Sequence, residues 1–239
     1  MLTQTIELAT ADGPMAVYEA APDGAARGAV IVIQEAFGVN EHIQDVTRRF
    51  AAEGYHAVAP AVFHRAGGGT APYDDFTKVM PLFAGLTDDA VLMDVGATLG
   101  HLHAAGFADA SIGIVGFCFG GRVAFLVAAR RAIGASVSFY GGGITHNSQG
   151  MAAPLADEAG SLQTPWLGLF GDQDAMIPVD GVEELRSSVA KASVQTEIVR
   201  YPDAEHGFHC DARESYHEQS AKDGWGRTLV WFASNLSAA

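Results

Sequence analysis

Hydrophobic residues along the chain fall into short runs that are separated by longer segments with a different spacing. The runs are too short for helices and lack strict alternation, which is typical of strands buried on both faces of a sheet. They cover residues 29–33, 57–61, 112–115, 135–140, 166–170 and, with a more mixed composition, 196–201. The pattern therefore predicts six strands in a sheet that is covered on both sides.

Segments with helical spacing lie between these runs and after the last of them, at residues 41–53, 87–105, 120–131, 180–192 and about 214–236. Strands that alternate with helices of this length favour right-handed βαβ units and a mainly parallel sheet. Ahead of them, residues 5–9 and 15–20 flank a turn-forming Asp-Gly-Pro and predict an antiparallel hairpin. The predicted class is α/β, with a mainly parallel central sheet, helices on both faces and an N-terminal hairpin.

The length of 239 residues lies within the range of one α/β domain, so residues 1–239 are expected to form a single domain. Hydrophobic residues make up 49% of the chain and charged residues 18%, which is ordinary for a globular protein with a large core. Residues 65–70 and 141–160 are the most irregular stretches. They are expected either to shape a ligand site at strand ends or to be surface loops.

The charge balance excludes several classes of partner. The net charge is −14, with 14 basic residues against 28 acidic ones, and nucleic-acid binding depends on clusters of basic residues. DNA, RNA and anionic membranes are therefore not expected as partners. The N-terminus lacks a basic region followed by an apolar run, so a cytoplasmic protein is expected. The protein is expected to be a monomer or a homodimer.

The strongest chemical signal is a Gly-x-Cys-x-Gly pattern at residues 116–120, between a buried strand and a helical segment. This is the nucleophile-elbow pattern with Cys118 in place of serine. The turn is sharp, and side chains at either glycine would collide with the neighbouring strand and helix. The pattern predicts an exposed Cys118 and an oxyanion-binding N–H on Phe119. The alternative is a buried structural cysteine beside an ordinary turn.

An acidic partner is expected just past a later strand, where this architecture places the residue that orients the histidine. The strand at 166–170 is followed by Gly-Asp-Gln-Asp, which offers Asp172 and Asp174. Either one could instead be a turn former or a helix cap. The pattern alone leaves the choice between them open.

His206 follows the last predicted strand and precedes a glycine. The order of nucleophile, acid and histidine along the chain is the one found in folds with a nucleophile elbow. The first interval leaves room for about two βα units and the second for one. A lone histidine in a loop is more often a surface residue, and the chain has nine histidines, including His209. The chain order favours His206 as the base.

The first buried strand ends in Gln-Glu-Ala-Phe-Gly at residues 34–38. The N–H of Ala36 is predicted as the second oxyanion donor, because this fold takes that donor from the loop after this strand. Glu35 is a carboxylate at the mouth of an apolar strand. From the residues alone it is a solvated charge at a strand end.

Together these motifs resemble the dienelactone hydrolase family of α/β-hydrolases, over essentially the whole chain. The most specific pieces are Gln-Glu-x-Phe-Gly, Gly-x-Cys-x-Gly-Gly, Gly-x-x-Asp-x-x-x-Pro and the late histidine. The resemblance implies a triad of Cys118, Asp174 and His206. It also implies that Glu35 meets the resting thiol until a bound substrate displaces it.

The chemistry that this resemblance implies is thiolate attack on a carbonyl, an acyl-enzyme and its release by water. A small ester, lactone or thioester is the expected substrate, with no metal or other cofactor. The candidates for the substrate pocket are Phe37, Lys78, Tyr140, Phe208 and His209.

The chain departs from the family at the two arginines that hold the carboxylate of dienelactone. Residues 67–86 contain no arginine and only Lys78, and the histidine is followed by His209 and Arg213. The clamp is therefore absent or rebuilt from these three residues. Strict dienelactone hydrolase activity is an alternative function, and a non-catalytic binding protein with this fold is another.

The close spacings of His101 with His103 and of His206 with His209 bring imidazoles together in sequence, as in some metal sites. Residues two apart on a helix point to different sides, and no cysteine or carboxylate spacing completes a set of ligands. The sequence predicts no structural zinc.

Overall fold

The computed structural model describes residues 1–145 and 154–238. Eight strands form one sheet in the order β1-β2-β4-β3-β5-β6-β7-β8. The pairs β1–β2 and β2–β4 are antiparallel, and all other neighbours are parallel. The strands are β1 Leu2–Thr10, β2 Gly13–Ala21, β3 Ala29–Ile33, β4 His56–Pro60, β5 Ile112–Phe117, β6 Ala135–Phe139, β7 Trp166–Gly171 and β8 Thr196–Tyr201.

Five α-helices connect or follow the strands: α1 Glu41–Ala52, α2 Asp88–Ala104, α3 Phe119–Arg130, α4 Val179–Val189 and α5 Glu218–Asn235. The side chains of Asn40 and Thr87 cap α1 and α2 by accepting backbone N–H groups in the first turn. Each predicted helix is present with its ends shifted by a few residues. The predicted fold class is confirmed, including the N-terminal hairpin.

Side chains of the central strands alternate between two cores, one on each face of the sheet. Val30 and Val32 of β3 belong to a core that includes residues of α1 and α5. Ala29, Ile31 and Ile33 belong to a second core that includes residues of α2 and one side of α3. This division accounts for the continuous apolar runs, because both faces of these strands are buried.

The connection from β4 to α2 contains three short 3-10 segments, His64–Ala66, Phe76–Lys78 and Met80–Phe83. Of the predicted irregular stretch 141–160, residues 146–153 lie outside the described part of the chain. Among the described residues, no helix combines the length and apolar character needed to cross a membrane.

The parallel register brings the candidate chemistry to one edge of the sheet. Ile33 at the end of β3 pairs with Gly116 of β5, and Phe117 pairs with Phe139 at the end of β6. The segments that follow β3, β5, β7 and β8 therefore leave the sheet at the same edge. Crevices at the carboxyl ends of parallel strands are the usual ligand sites of such sheets.

Candidate active site

Cys118 stands on a sharp turn between β5 and α3. Its backbone has φ 54° and ψ −114°, a conformation that L-residues rarely adopt. The glycines of the motif make this turn sterically feasible. A Cβ atom on Gly116 would lie 1.8 Å from the carbonyl oxygen of Gly120, and one on Gly120 would lie 2.4 Å from the carbonyl oxygen of Ile33. The predicted need for both glycines is confirmed.

Two backbone N–H groups beside Cys118 are available to a ligand. Those of Ala36 and Phe119 donate no hydrogen bond to any group in the described part of the chain. Phe119 begins α3, so its N–H also lies at the positive end of the helix dipole. Both residues line the same cavity as Cys118. This arrangement is suited to an oxygen that gains negative charge.

His206 and Asp174 form a direct hydrogen bond. His206 Nδ1 and Asp174 Oδ2 are 2.7 Å apart. The other carboxylate oxygen of Asp174 accepts backbone N–H groups from Met176 at 2.8 Å and Ile177 at 3.2 Å. The carboxylate is therefore fixed in its loop, and it holds the imidazole in one orientation.

The charge state of His206 depends on its neighbours. Burial alone would lower its pKa, but a Cys118 thiolate and the Asp174 carboxylate raise the pKa of His206 to about 10. Nε2 is buried and forms no hydrogen bond of good geometry with a described residue. The pair is thus arranged so that a thiolate at Cys118 and an imidazolium at His206 stabilise each other.

Asp172, the other acid that the sequence offered, has a different partner. Its two carboxylate oxygens accept hydrogen bonds from Arg200 at 2.7 and 2.8 Å. Arg200 also contacts Glu183. Asp172 therefore belongs to a surface ion-pair network, and Asp174 is the acid that reaches His206.

Glu35 is fully buried, which excludes the solvated strand-end charge. Its Oε1 accepts hydrogen bonds from Arg213 Nη1 at 3.3 Å and from the Tyr140 hydroxyl at 3.4 Å. Its Oε2 is buried and has no hydrogen-bond partner among the described residues. The contact with the Cys118 thiol that the resemblance implies is not among its hydrogen bonds and stays a prediction.

Aromatic rings pack close to the guanidinium of Arg213, which contacts Glu35. The Arg213 guanidinium lies 5.7 and 5.8 Å from the ring centres of Phe37 and Tyr73. Burial and the nearby Glu35 carboxylate raise the pKa of Tyr140 well above its usual value. Tyr140 is therefore a protonated hydrogen-bond donor, and Arg213 is the cation that balances the buried carboxylate.

A cavity of about 530 Å³ opens in front of Cys118, His206 and Ala36. Apolar side chains form most of its wall: Phe83, Leu86, Val91, Phe119, Val123 and Met176. Charged side chains line another part, including Arg122, which forms two hydrogen bonds to Asp88 at 2.5 and 3.0 Å. The site combines a small polar centre with a largely apolar pocket, as ligand sites usually do.

The five predicted pocket residues do not line this cavity. Lys78 is exposed and pairs with Asp75, while Phe208 and His209 are buried in the aromatic core. Phe37 and Tyr140 are buried beside Arg213 and Glu35. The five predicted side chains therefore lie outside this cavity.

Sequence reasoning missed the wall of the cavity. Residues 83–91 contribute six of its lining residues, with no motif beyond the apolar residues before a Thr-Asp-Asp helix start. Arg122 follows the two glycines of the elbow directly, so its place in the first turn of α3 was a signal that could have found it. Gly142 and Gly143 of the second irregular stretch also line the cavity, whereas residues 65–70 do not.

Comparisons with known proteins identify the family. The model of the dienelactone hydrolase family matches residues 15–236. A Salmonella typhimurium protein with the provisional name carboxymethylenebutenolidase is 42% identical over 233 residues, which cover 92% of this chain and 82% of that protein. A Bradyrhizobium protein provisionally named a 2-oxo-3-(5-oxofuran-2-ylidene)propanoate lactonase is 32% identical, covering 87% of this chain and 84% of its own.

A crystal structure from Klebsiella pneumoniae, provisionally described as a dienelactone hydrolase, superimposes with a TM-score of 0.89 and 39% identity. The superposition covers 97% of this chain and 98% of that one. The fold is therefore the α/β-hydrolase fold. The chain belongs to the dienelactone hydrolase family and is a hydrolase.

Proposed function

We propose that the protein hydrolyses a small ester, lactone or thioester, with Cys118 as nucleophile, His206 as base and Asp174 as the residue that orients the imidazole. One observation carries the proposal. Cys118 on its strained turn and His206, hydrogen-bonded to Asp174 at 2.7 Å, line one cavity together with the unbonded N–H groups of Ala36 and Phe119.

The reaction follows from these positions. The Cys118 thiolate attacks the substrate carbonyl carbon, and the carbonyl oxygen becomes an oxyanion beside the two N–H groups. The intermediate collapses as the carbon–oxygen or carbon–sulfur bond to the leaving group breaks, and the imidazolium of His206 protonates that group. Water, deprotonated by His206, then attacks the thioester and releases the acid and the thiolate.

The cavity supports a small substrate with apolar parts. Its volume of about 530 Å³ admits a compact acyl or lactone group, and its wall near Cys118 is mainly aliphatic and aromatic. Asp88 and Asp89 also line it, but each pairs with an arginine of the same wall, Arg122 and Arg130, so the charges of the lining balance. A neutral ester or lactone satisfies this lining best.

A lactone that carries a carboxylate is the second candidate, as in the reaction after which the family is named. One observation favours it. Arg213, placed a few residues past His206, is held beside the buried Glu35, and a Cys118 thiolate is among the charges that raise its pKa. Of the three residues from which the sequence could rebuild the arginine clamp, Arg213 is the one that contacts Glu35, whereas Lys78 pairs with Asp75 at the surface and His209 is buried in the aromatic core.

The test is hydrolysis of a short chromogenic ester by the wild-type protein and by Cys118→Ala, with no metal added. The expected result is turnover in the first and its loss in the second. Cys210→Ala is the matched control, because Cys210 is a buried free thiol outside the cavity. Turnover that survives Cys118→Ala would remove the proposed nucleophile, and inactivity of the wild type on a panel of esters and lactones would favour a binding protein.

A further inference from the structure

Three side chains that are far apart in sequence meet on the α2 side of the sheet. Glu19 lies on β2, His56 begins β4 and His101 lies in the last turn of α2. Their ligand atoms lie within 4.8 Å of one another. The sequence alone does not indicate this set, because its three members lie on separate elements that only the fold brings together.

Both imidazoles lie within hydrogen-bonding distance of the same carboxylate oxygen. His56 Nε2 lies 2.6 Å and His101 Nε2 lies 3.0 Å from Glu19 Oε1. Glu19 is almost completely buried, and the two histidines are partly buried. Two Nε2 atoms and one carboxylate oxygen that converge in a sheltered place form a set of ligands used by zinc in proteins.

The backbone fixes this convergence. Glu19 pairs with Val58 in the antiparallel register of β2 and β4, so His56, two residues before Val58, is its diagonal neighbour on the same face. The N–H of His56 is hydrogen-bonded to the carbonyl oxygen of Gly28 at 3.0 Å. The helix α2, which packs against β1 and β4, brings His101 over this face. The cluster is therefore built by the fold and does not depend on a loop.

The dimensions suit a transition-metal ion. Zinc binds nitrogen and oxygen ligands at about 2.1 Å, which places two ligands of a tetrahedral site roughly 3.4 Å apart. The present separations from Glu19 Oε1 are 2.6 and 3.0 Å. Each imidazole Nε2 therefore needs to move away from Glu19 Oε1 by less than about 1 Å to make room for the ion. The partial exposure of both histidines leaves room for that movement and for a water ligand.

A second layer of contacts holds the carboxylate. Gln4 Nε2 donates to Glu19 Oε2 at 2.6 Å, which leaves Oε1 directed at the two histidines. The ring of Phe107 lies 5.5 Å from that of His56. Hydrogen-bonded outer partners such as Gln4 orient metal ligands and raise affinity. Imidazole nitrogens favour zinc and similar borderline ions over magnesium or calcium, which prefer all-oxygen sites.

We propose that Glu19, His56 and His101 bind one Zn²⁺ ion, with water completing the coordination, in a site separate from the hydrolytic centre. His56 is in register with Ala29 and, through β3, with Ile112 at the start of β5. Cys118 follows the other end of β5, roughly 20 Å away at the rise of a strand. The ion joins α2 to the β2–β4 pair and stabilises the folded chain.

The experiment measures zinc binding directly. Metal-free protein receives Zn²⁺, is desalted and is analysed for bound zinc, and its melting temperature is measured with and without the ion. Cys118→Ala is used alongside the wild type, because a thiolate and an imidazole at the active site can also bind zinc. We expect one ion per chain in Cys118→Ala and a rise in melting temperature of roughly 5 °C or more at a hundredfold excess over the dissociation constant.

The decisive comparison is between two substitutions on α2, each made in the Cys118→Ala protein. His101→Gln can keep a hydrogen bond to Glu19 but removes a zinc ligand, so both the bound ion and the thermal shift are expected to disappear. His103→Gln is the matched control, because His103 pairs with Asp109 instead. Equal zinc binding by the two variants, or no bound zinc in Cys118→Ala, overturns the proposal. If His101→Gln lowers the metal-free melting temperature by itself, His56→Gln repeats the comparison.

Discussion

Gly116 and Gly120 approach each other so closely that a Cβ on Gly116 would lie 1.8 Å from the carbonyl oxygen of Gly120. Four residues apart in sequence, they sit at the end of β5 and the start of α3, with Cys118 between them. The contact is between backbone atoms, so no rotation of a side chain can relieve it. The unusual backbone of Cys118 therefore depends on the absence of a side chain at Gly116.

Gly116→Ala is expected to destabilise the protein by about 3 kcal/mol or more, because the added methyl group must displace the first turn of α3. The measurement is denaturant unfolding. Gly100→Ala is the control, since Gly100 lies within α2 and a Cβ there meets nothing within 4 Å. That variant is expected to be neutral or more stable by up to about 1 kcal/mol, as alanine favours helices. Similar losses in both variants would contradict the steric argument.

Asp174→Asn is expected to lower kcat by roughly a hundredfold or more, because the amide no longer balances an imidazolium at His206. Asp172→Asn, two residues away, removes half of an ion pair with Arg200 and should change kcat by no more than about twofold. Steady-state kinetics on one ester compares them. A larger loss in Asp172→Asn would reassign the acid.

Glu35→Gln is expected to change the rate at which iodoacetamide alkylates Cys118 at pH 7. Glu35 is buried and hydrogen-bonded to Arg213 and Tyr140, so the substitution leaves the positive charge of Arg213 uncompensated beside the site. The direction expected is faster alkylation, since that charge favours a thiolate. Glu7→Gln, on the exposed part of β1, is the control. Equal rates in wild type and Glu35→Gln would show that the carboxylate does not act on the thiol.

The His206 titration provides a test by pH. Its pKa in the folded protein is raised to about 10, above the value of about 6.5 expected in the unfolded chain. The associated stability is fully present below about pH 6.5 and is lost as the pH rises through about 10. In Cys118→Ala the thiolate is gone, so the pKa of His206 falls and the loss begins at lower pH. NMR titration of the imidazole measures this shift. An unchanged midpoint would show that Cys118 does not affect the pKa of His206.

Sequence reasoning predicted the scaffold because burial on both faces of a parallel sheet leaves a strong local pattern. The run at 29–33 is apolar at every position, and its residues divide between two cores. The elbow was equally readable, because a turn of that sharpness accepts glycine at two fixed positions. Both features depend on residues that are close together in sequence.

Features that depend on the direction of side chains in the fold could not be predicted from the sequence. Asp172 and Asp174 are chemically identical and two residues apart, and only the fold gives one to Arg200 and the other to His206. Lys78 and His209 are candidates for a rebuilt arginine clamp by their places in the chain, whereas in the fold Lys78 is exposed and His209 is buried in an aromatic core. His101 on α2 contacts Glu19 on β2, although several elements separate the two residues in sequence.

Residues 83–91 supply six of the residues that line the cavity and carry none of the groups proposed to act on the carbonyl. Those groups follow β3, β5, β7 and β8, whose positions are fixed by the sheet. Side chains of this segment that face the cavity, such as Phe83 and Leu86, can therefore be substituted while the reacting atoms stay in place. Laboratory evolution directed at this one stretch is a route to new substrate ranges on an unaltered chemical centre.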